Sequence, residues 1–198
     1  PTRRSSDLWG ADLGEVDDAA AAEIDRASVM PTASGTADEP YDLSVLPEQS
    51  AGWLATPGIT GHRAGTDFST AFMQTGLTVT GEGRDASGAP LAATVVVEAA
   101  DTAAGLSLTW TLELTAHGLV RTRTALTNTG GGTFDLATLD SVLPLPREAG
   151  EILDFTGRHL RERSPQRHTV VAGTHLREIR RGRSHDGTLL MLAGVPGF

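Results

Sequence analysis

Apolar and polar positions alternate with a period of two through the middle of this 198-residue chain. The clearest run sets Leu106, Leu108, Trp110, Leu112 and Leu114 against Ser107, Thr109, Thr111, Glu113 and Thr115. That pattern predicts a strand with one face buried and one wet. A one-residue slip would put five large apolar side chains in water, so the register is firmly specified. Upstream, Leu77 and Val79 alternate with threonines, 81–90 is turn-rich, and 91–100 reads as a strand around Thr94-Val95-Val96-Val97. Downstream, His117-Gly118 turns the chain and 119–128 reads as a strand. Gly130-Gly131-Gly132 predicts a hairpin turn, and 133–145 returns until Pro144 and Pro146 stop it.

The remainder is less regular. Residues 8–11 read as the end of a strand, and 17–25 as a short helix with Asp17 or Asp18 as N-cap. Residues 30–46 are rich in breakers and read as loop. Residues 46–65 are irregular but carry Trp53 and Ile59, apolar anchors of a kind that packs on a neighbour. Residues 151–157 predict a strand and turn, 158–182 a loop with short strands, and 188–194 a buried strand. Four or five strands at roughly ten-residue spacing, joined by Gly-rich turns, predict an all-β antiparallel sandwich. The length fits one domain with a sizeable core, or one and a half.

Composition narrows the function classes. The formal charge of −9 argues against general nucleic-acid binding. Eleven acids precede residue 50, whereas 155–187 holds eight of the sixteen basic residues. All sixteen are arginine. With no cysteine there is no disulfide framework and no thiolate metal site. No apolar run reaches the length of a membrane span, so no membrane partner is expected. The N-terminus carries no signal-like apolar region, and residues 1–7 read as a non-native scar ahead of a domain over 8–198. No two of the six histidines have the helical i, i+4 spacing of a zinc motif, and no metal or cofactor is expected. Serine-nucleophile and phosphate-loop signatures are absent.

Two segments carry a family resemblance. GRHLRERSPQR followed by GTHLREIRRGR resembles the join just upstream of the catalytic barrel in glycoside hydrolase family 36, the bacterial α-galactosidases. Gly157, Arg158, Arg161, Glu162, Arg163, Gln166, Arg167, Gly173, Arg177, Glu178, Arg180, Arg181, Gly182 and Arg183 match the family pattern. Ile179 stands where the family has serine, and the spacing from Gly182 to His185-Asp186 is shorter. Earlier, PEQSAGW, PGITGHR and TDFS look like the family's actinobacterial members.

The resemblance implies an N-terminal β-supersandwich, similar to galactose mutarotase, ahead of a (β/α)₈ barrel and a small C-terminal β domain. It implies hydrolysis of terminal α-galactosides such as melibiose and raffinose with retention, by two barrel aspartates about 5–5.5 Å apart. Both would lie beyond residue 198, so no catalytic residue is assigned to this chain. The chain would then be a non-catalytic fragment, inactive alone, whose partners are its own barrel, a homo-oligomer and, through the barrel, a galactoside. A bacterial cytoplasmic setting is the corresponding expectation.

The candidate barrel or subunit interface comprises Trp53, Arg158, Arg161, Arg163, Arg167, Arg177, Arg180, Arg181 and Arg183. Arginine forks suit carboxylates at interfaces; the simpler reading is a solvated loop with local Arg–Glu pairs. Trp110, within its leucine row, reads as core. The alternative function is a stand-alone carbohydrate-binding or mutarotase-like domain. Free mutarotases use a histidine and a glutamate facing one groove; Glu113 lies on a wet face, with no partner named by the sequence.

Overall fold

A computed structural model describes residues 16–27, 44–81, 83, 86, 91–145, 148–177 and 190–198. They fall into two compact units, one ending at Leu143 and one running from Pro144 to Phe198. The predicted strand end at 8–11 and most of the loop at 30–46 lie outside the described residues. The expected all-β antiparallel class holds.

The first unit opens with helix α1 (Asp18–Ala27). The Asp17 carboxylate accepts the Ala20 N–H at 2.8 Å, the N-cap bond expected of this residue type. A four-stranded sheet then follows the chain in order: β2 (Met73–Thr80), β3 (Ala93–Asp101), β4 (Leu106–Leu114) and β5 (Val120–Asn128). The ladder sets Leu77 beside Val97, Val97 beside Trp110, and Trp110 beside Thr124. Leu106, Leu108 and Trp110 are buried, as the alternation requires. The opposite face is drier than expected: Ser107, Thr109 and Thr111 are half-buried, and Glu113 alone among these alternating polar positions of β4 is exposed. Short threonines between neighbouring strands are shaded by the side chains on either side.

The irregular segment before the sheet contains a strand that the sequence reading missed, β1 (Ile59–His62). Its partner is β6 (Asp135–Leu139). The predicted hairpin at Gly130–Gly132 is therefore corrected: β6 leaves β5 and pairs with β1 in a separate two-stranded sheet. Ile59 and Leu46 meet Leu108 and Trp110 in the core, with Phe72, Val97, Leu112 and Leu139 around them. The gain is the burial of Ile59, which a β5–β6 hairpin alone would not provide.

Arg63 fastens the turns at one end. Its Nη1 donates to the Gly131 and Gly132 carbonyls at 2.6 and 3.0 Å. Its Nη2 donates to the Ala104 carbonyl and Asn128 Oδ1 at 3.0 and 2.9 Å, and its Nε to Asp67 at 3.2 Å. The guanidinium also lies 5.9 Å from the Phe134 ring centre. The turns it joins nearly touch: a Cβ on Gly105 (φ 61) would sit 2.7 Å from Gly130 Cα. Arg63→Lys should therefore lose almost as much stability as Arg63→Ala, about 2 kcal/mol by urea unfolding, because one ammonium cannot span five acceptors. A lysine variant as stable as the parent would show the fork to be dispensable.

One carboxyl ties the 44–72 segment to the sheet and another closes that segment on itself. Asp101, buried, accepts the Ala71 and Ala104 N–H groups at 2.8 and 2.9 Å. Glu48 accepts the Thr70 hydroxyl at 2.7 Å and the Phe72 N–H at 3.1 Å. Burial raises the Glu48 pKa above 4.5; the bonds from Thr70 and Phe72 oppose the rise, and Asp101 adds to it. The folded state thus favours protonated Glu48, a contribution complete below pH 4.5 and lost as pH climbs through the raised pKa. Relative to the parent, Glu48→Gln should gain thermal stability as pH rises from about 4 to about 7. A Tm difference that is flat with pH would refute this.

The second unit is a three-stranded antiparallel sheet ordered β8-β7-β9, made of β7 (Glu151–Arg158), β8 (Arg161–Thr169) and β9 (Leu192–Gly194). Two expectations are corrected here. The segment read as loop with short strands holds a nine-residue strand, β8. Among the described strands it lies at the edge, which tolerates Pro165 because one side needs no ladder partner. The predicted buried strand at 188–194 is only three residues long among the described residues. Leu190, Met191 and Leu192 there are 56%, 55% and 37% exposed rather than buried.

Candidate functional site

Strand β7 brings Ile152 and Asp154 to one buried face, two residues apart. Register places His168 of β8 opposite Ile152 and Gln166 opposite Asp154. His168 is therefore the diagonal neighbour of Asp154 on that face. The chain after β8 then supplies His175 and Arg177, and all three side chains converge on one carboxylate.

Asp154 is 1% exposed. Arg177 donates Nε to Oδ2 at 2.9 Å and Nη2 to Oδ1 at 3.0 Å, a two-pronged fork. His175 Nε2 lies 2.9 Å from Oδ2. His168 Nε2 lies 3.5 Å from Oδ1, is buried, and meets no hydrogen-bond partner among the described residues. The two imidazole centres are 4.6 Å apart, tilted by 44°. The Arg177 bond holds the Asp154 carboxyl down to about 2; burial opposes that, and His175 assists it. The same bond raises the Arg177 pKa.

This carboxylate is a poor general base and is closed to solvent. It is also a single carboxyl, whereas glycoside hydrolysis needs two flanking the bond. Asp101, the other buried acid described, and the half-buried Glu48 have their oxygens turned to backbone N–H groups and a hydroxyl.

The predicted interface arginines divide into three sets. Arg158, Arg161 and Arg163 are exposed on the β7–β8 hairpin, with Arg158 opposite Arg161 in register. The hairpin tip, Leu160, is 81% exposed at φ 67. Arg167 and Arg177 are held within the unit. Arg167 bonds Glu151 and the Phe198 carbonyl and lies over the Phe198 ring; Arg177 bonds Asp154. Arg180, Arg181 and Arg183 lie outside the described residues. Trp53, in the first unit, is half-buried and donates its indole N–H to the Thr56 carbonyl at 2.9 Å. Glu113, the mutarotase candidate, pairs across the sheet with Arg121 at 3.6 Å rather than with a histidine.

The Asp154–His168–His175 group was not legible as a motif. Its members are separated by thirteen and six residues and come from two strands and a loop. Recognising β8 as the partner of β7 would have placed 154 and 168 together.

An antiparallel all-β module with a buried, arginine-bound carboxylate and an arginine-rich hairpin is the class these features define. The comparisons with known proteins then place it. The model of the glycosyl hydrolase family 36 N-terminal domain matches residues 5–198. The chain is 31% identical over 191 residues to an alpha-galactosidase of Escherichia coli, covering 96% of this chain and 25% of that protein. A GH36 alpha-galactosidase AgaA variant from Geobacillus stearothermophilus, in complex with raffinose, superposes with TM-score 0.71 at 20% identity, covering 96% of this chain and 28% of that one. AgaB from the same organism gives 0.65 at 18% identity, covering 77% of this chain and 22% of that one. The chain belongs to the glycosyl hydrolase family 36 N-terminal domain family. It spans about a quarter of the length of the relatives it matches. No helix among the described residues is long and apolar enough to cross a membrane.

Proposed function

We propose that this chain is the non-catalytic N-terminal β domain of a retaining α-galactosidase acting on terminal α-D-galactosides such as melibiose and raffinose. Its work is to support a catalytic barrel and the enzyme's oligomer in a bacterial cytoplasm. The observation that carries this reading is the family match over residues 5–198 in a chain that spans 25% of an alpha-galactosidase. The placement of Glu48, Asp101 and Asp154 supports it: each is turned to partners within its own unit. On this reading Arg158, Arg161 and Arg163 are the hairpin's contacts with the barrel or a sister subunit, together with Arg180, Arg181 and Arg183. Arg167 and Arg177 shape the unit that presents them, and Trp53 packs beside a partner surface.

The test is an assay of the 198-residue chain on an aryl α-galactoside, beside a full-length family enzyme. The full-length enzyme cleaves it and the chain does not. Turnover by the chain that survives repurification would overturn the non-catalytic assignment.

A further inference from the structure

We propose that Asp154, His168 and His175 form a binding site for a borderline-soft divalent cation, zinc above all, through one carboxylate oxygen and two imidazole Nε2 atoms. The three ligand atoms lie within 4.8 Å of one another. Zinc bonds of about 2.0–2.2 Å in a tetrahedral shell separate neighbouring ligand atoms by roughly 3.3 Å. His175 Nε2 lies 2.9 Å from Oδ2 and His168 Nε2 lies 3.5 Å from Oδ1, so a cation held by one oxygen must draw in the imidazole that now faces the other. Small shifts of two imidazoles would close the shell.

The observation that points to a ligand is His168 Nε2. That atom is buried though its side chain is 37% exposed, it has no hydrogen-bond partner among the described residues, and it lies 3.5 Å from Asp154 Oδ1, too far for a good bond. An unpartnered buried imidazole nitrogen is costly, and a cation between it and the carboxylate would satisfy both. The donor set, two imidazoles and a carboxylate, suits zinc and its late first-row neighbours rather than magnesium or calcium.

Arg177 is the competing cation. Its fork takes two of the roughly four acceptor positions of the carboxylate, leaving the side that faces the imidazoles. It then acts as the outer partner that orients a ligating carboxylate. Its charge also weakens the site, so the affinity should be micromolar rather than that of a thiolate-rich structural centre. A cation there would tie β7, β8 and the segment after β8 together, independently of any catalytic partner.

The experiment titrates the chelator-stripped chain with zinc chloride by isothermal titration calorimetry. One ion per chain is expected, with affinity lowered at least tenfold in His168→Ala and in His175→Ala but unchanged in His117→Ala. Because a hub variant could fail to fold, the parent loaded with cobalt supplies a second readout, the visible bands of a tetrahedral ion. Absence of stoichiometric binding, binding indifferent to both hub histidines, or binding that emerges only in Arg177→Ala would each overturn the site. The last outcome would show that the guanidinium holds the carboxylate against cations.

Discussion

Arg177→Ala is expected to destabilise the second unit by about 3–5 kcal/mol, more than Asp154→Asn does. The asymmetry follows from which charge is left behind. Without the fork, a carboxylate 1% exposed keeps only His175 at 2.9 Å and a distant His168. It must then stay charged without solvent or take a proton. In Asp154→Asn the stranded group is a guanidinium whose side chain is 31% exposed and can turn to water. The amide keeps the shape of the carboxyl, and the loss falls to about 1–3 kcal/mol. Two units need not unfold in one transition. Hydrogen exchange along β7, read beside urea unfolding, isolates the relevant one. Equal losses in the two variants would mean that the Asp154 environment is wetter than its burial indicates.

Trp110→Ala should cost the first unit about 3–5 kcal/mol, whereas Trp110→Phe should cost about 1 kcal/mol. Trp110 is buried at the centre of β4, against Leu46, Ile59 and Leu108. Truncation opens a cavity bounded by two sheets, which collapse into it only in part. Phenylalanine refills most of that volume. It also loses no hydrogen bond, because the indole N–H meets no partner among the described residues, and neither does the neighbouring Thr124 hydroxyl. Unfolding followed by circular dichroism decides the matter. A phenylalanine variant as unstable as the alanine variant would reveal a polar contact at Nε1.

The arginine-rich segment illustrates how far composition reaches. A dense guanidinium run suggests one continuous docking surface. The fold divides it instead: Arg167 and Arg177 face partners in their own unit, while Arg158, Arg161 and Arg163 point from the hairpin into solvent. Which arginines remain for a partner depends on what the fold sets beside each one: Glu151 and Phe198 meet Arg167, and Asp154 meets Arg177.

Local chemistry sufficed where burial alternates within one strand or one side chain caps one helix. The Leu106–Leu114 pattern specified β4 and its buried face, and Asp17 specified the start of α1. Tertiary structure decided the rest. β6 abandons β5 for β1 because that pairing buries Ile59 beside Trp110, a gain invisible to either segment alone. β8 has no apolar alternation and contains Pro165, so only the free ladder of β7 makes it a strand. The Asp154 hub arises from the same pairing. Alternation along a chain reports how deep a face lies, but not which distant segment will cover it, and a carboxylate's partners are chosen by that second fact.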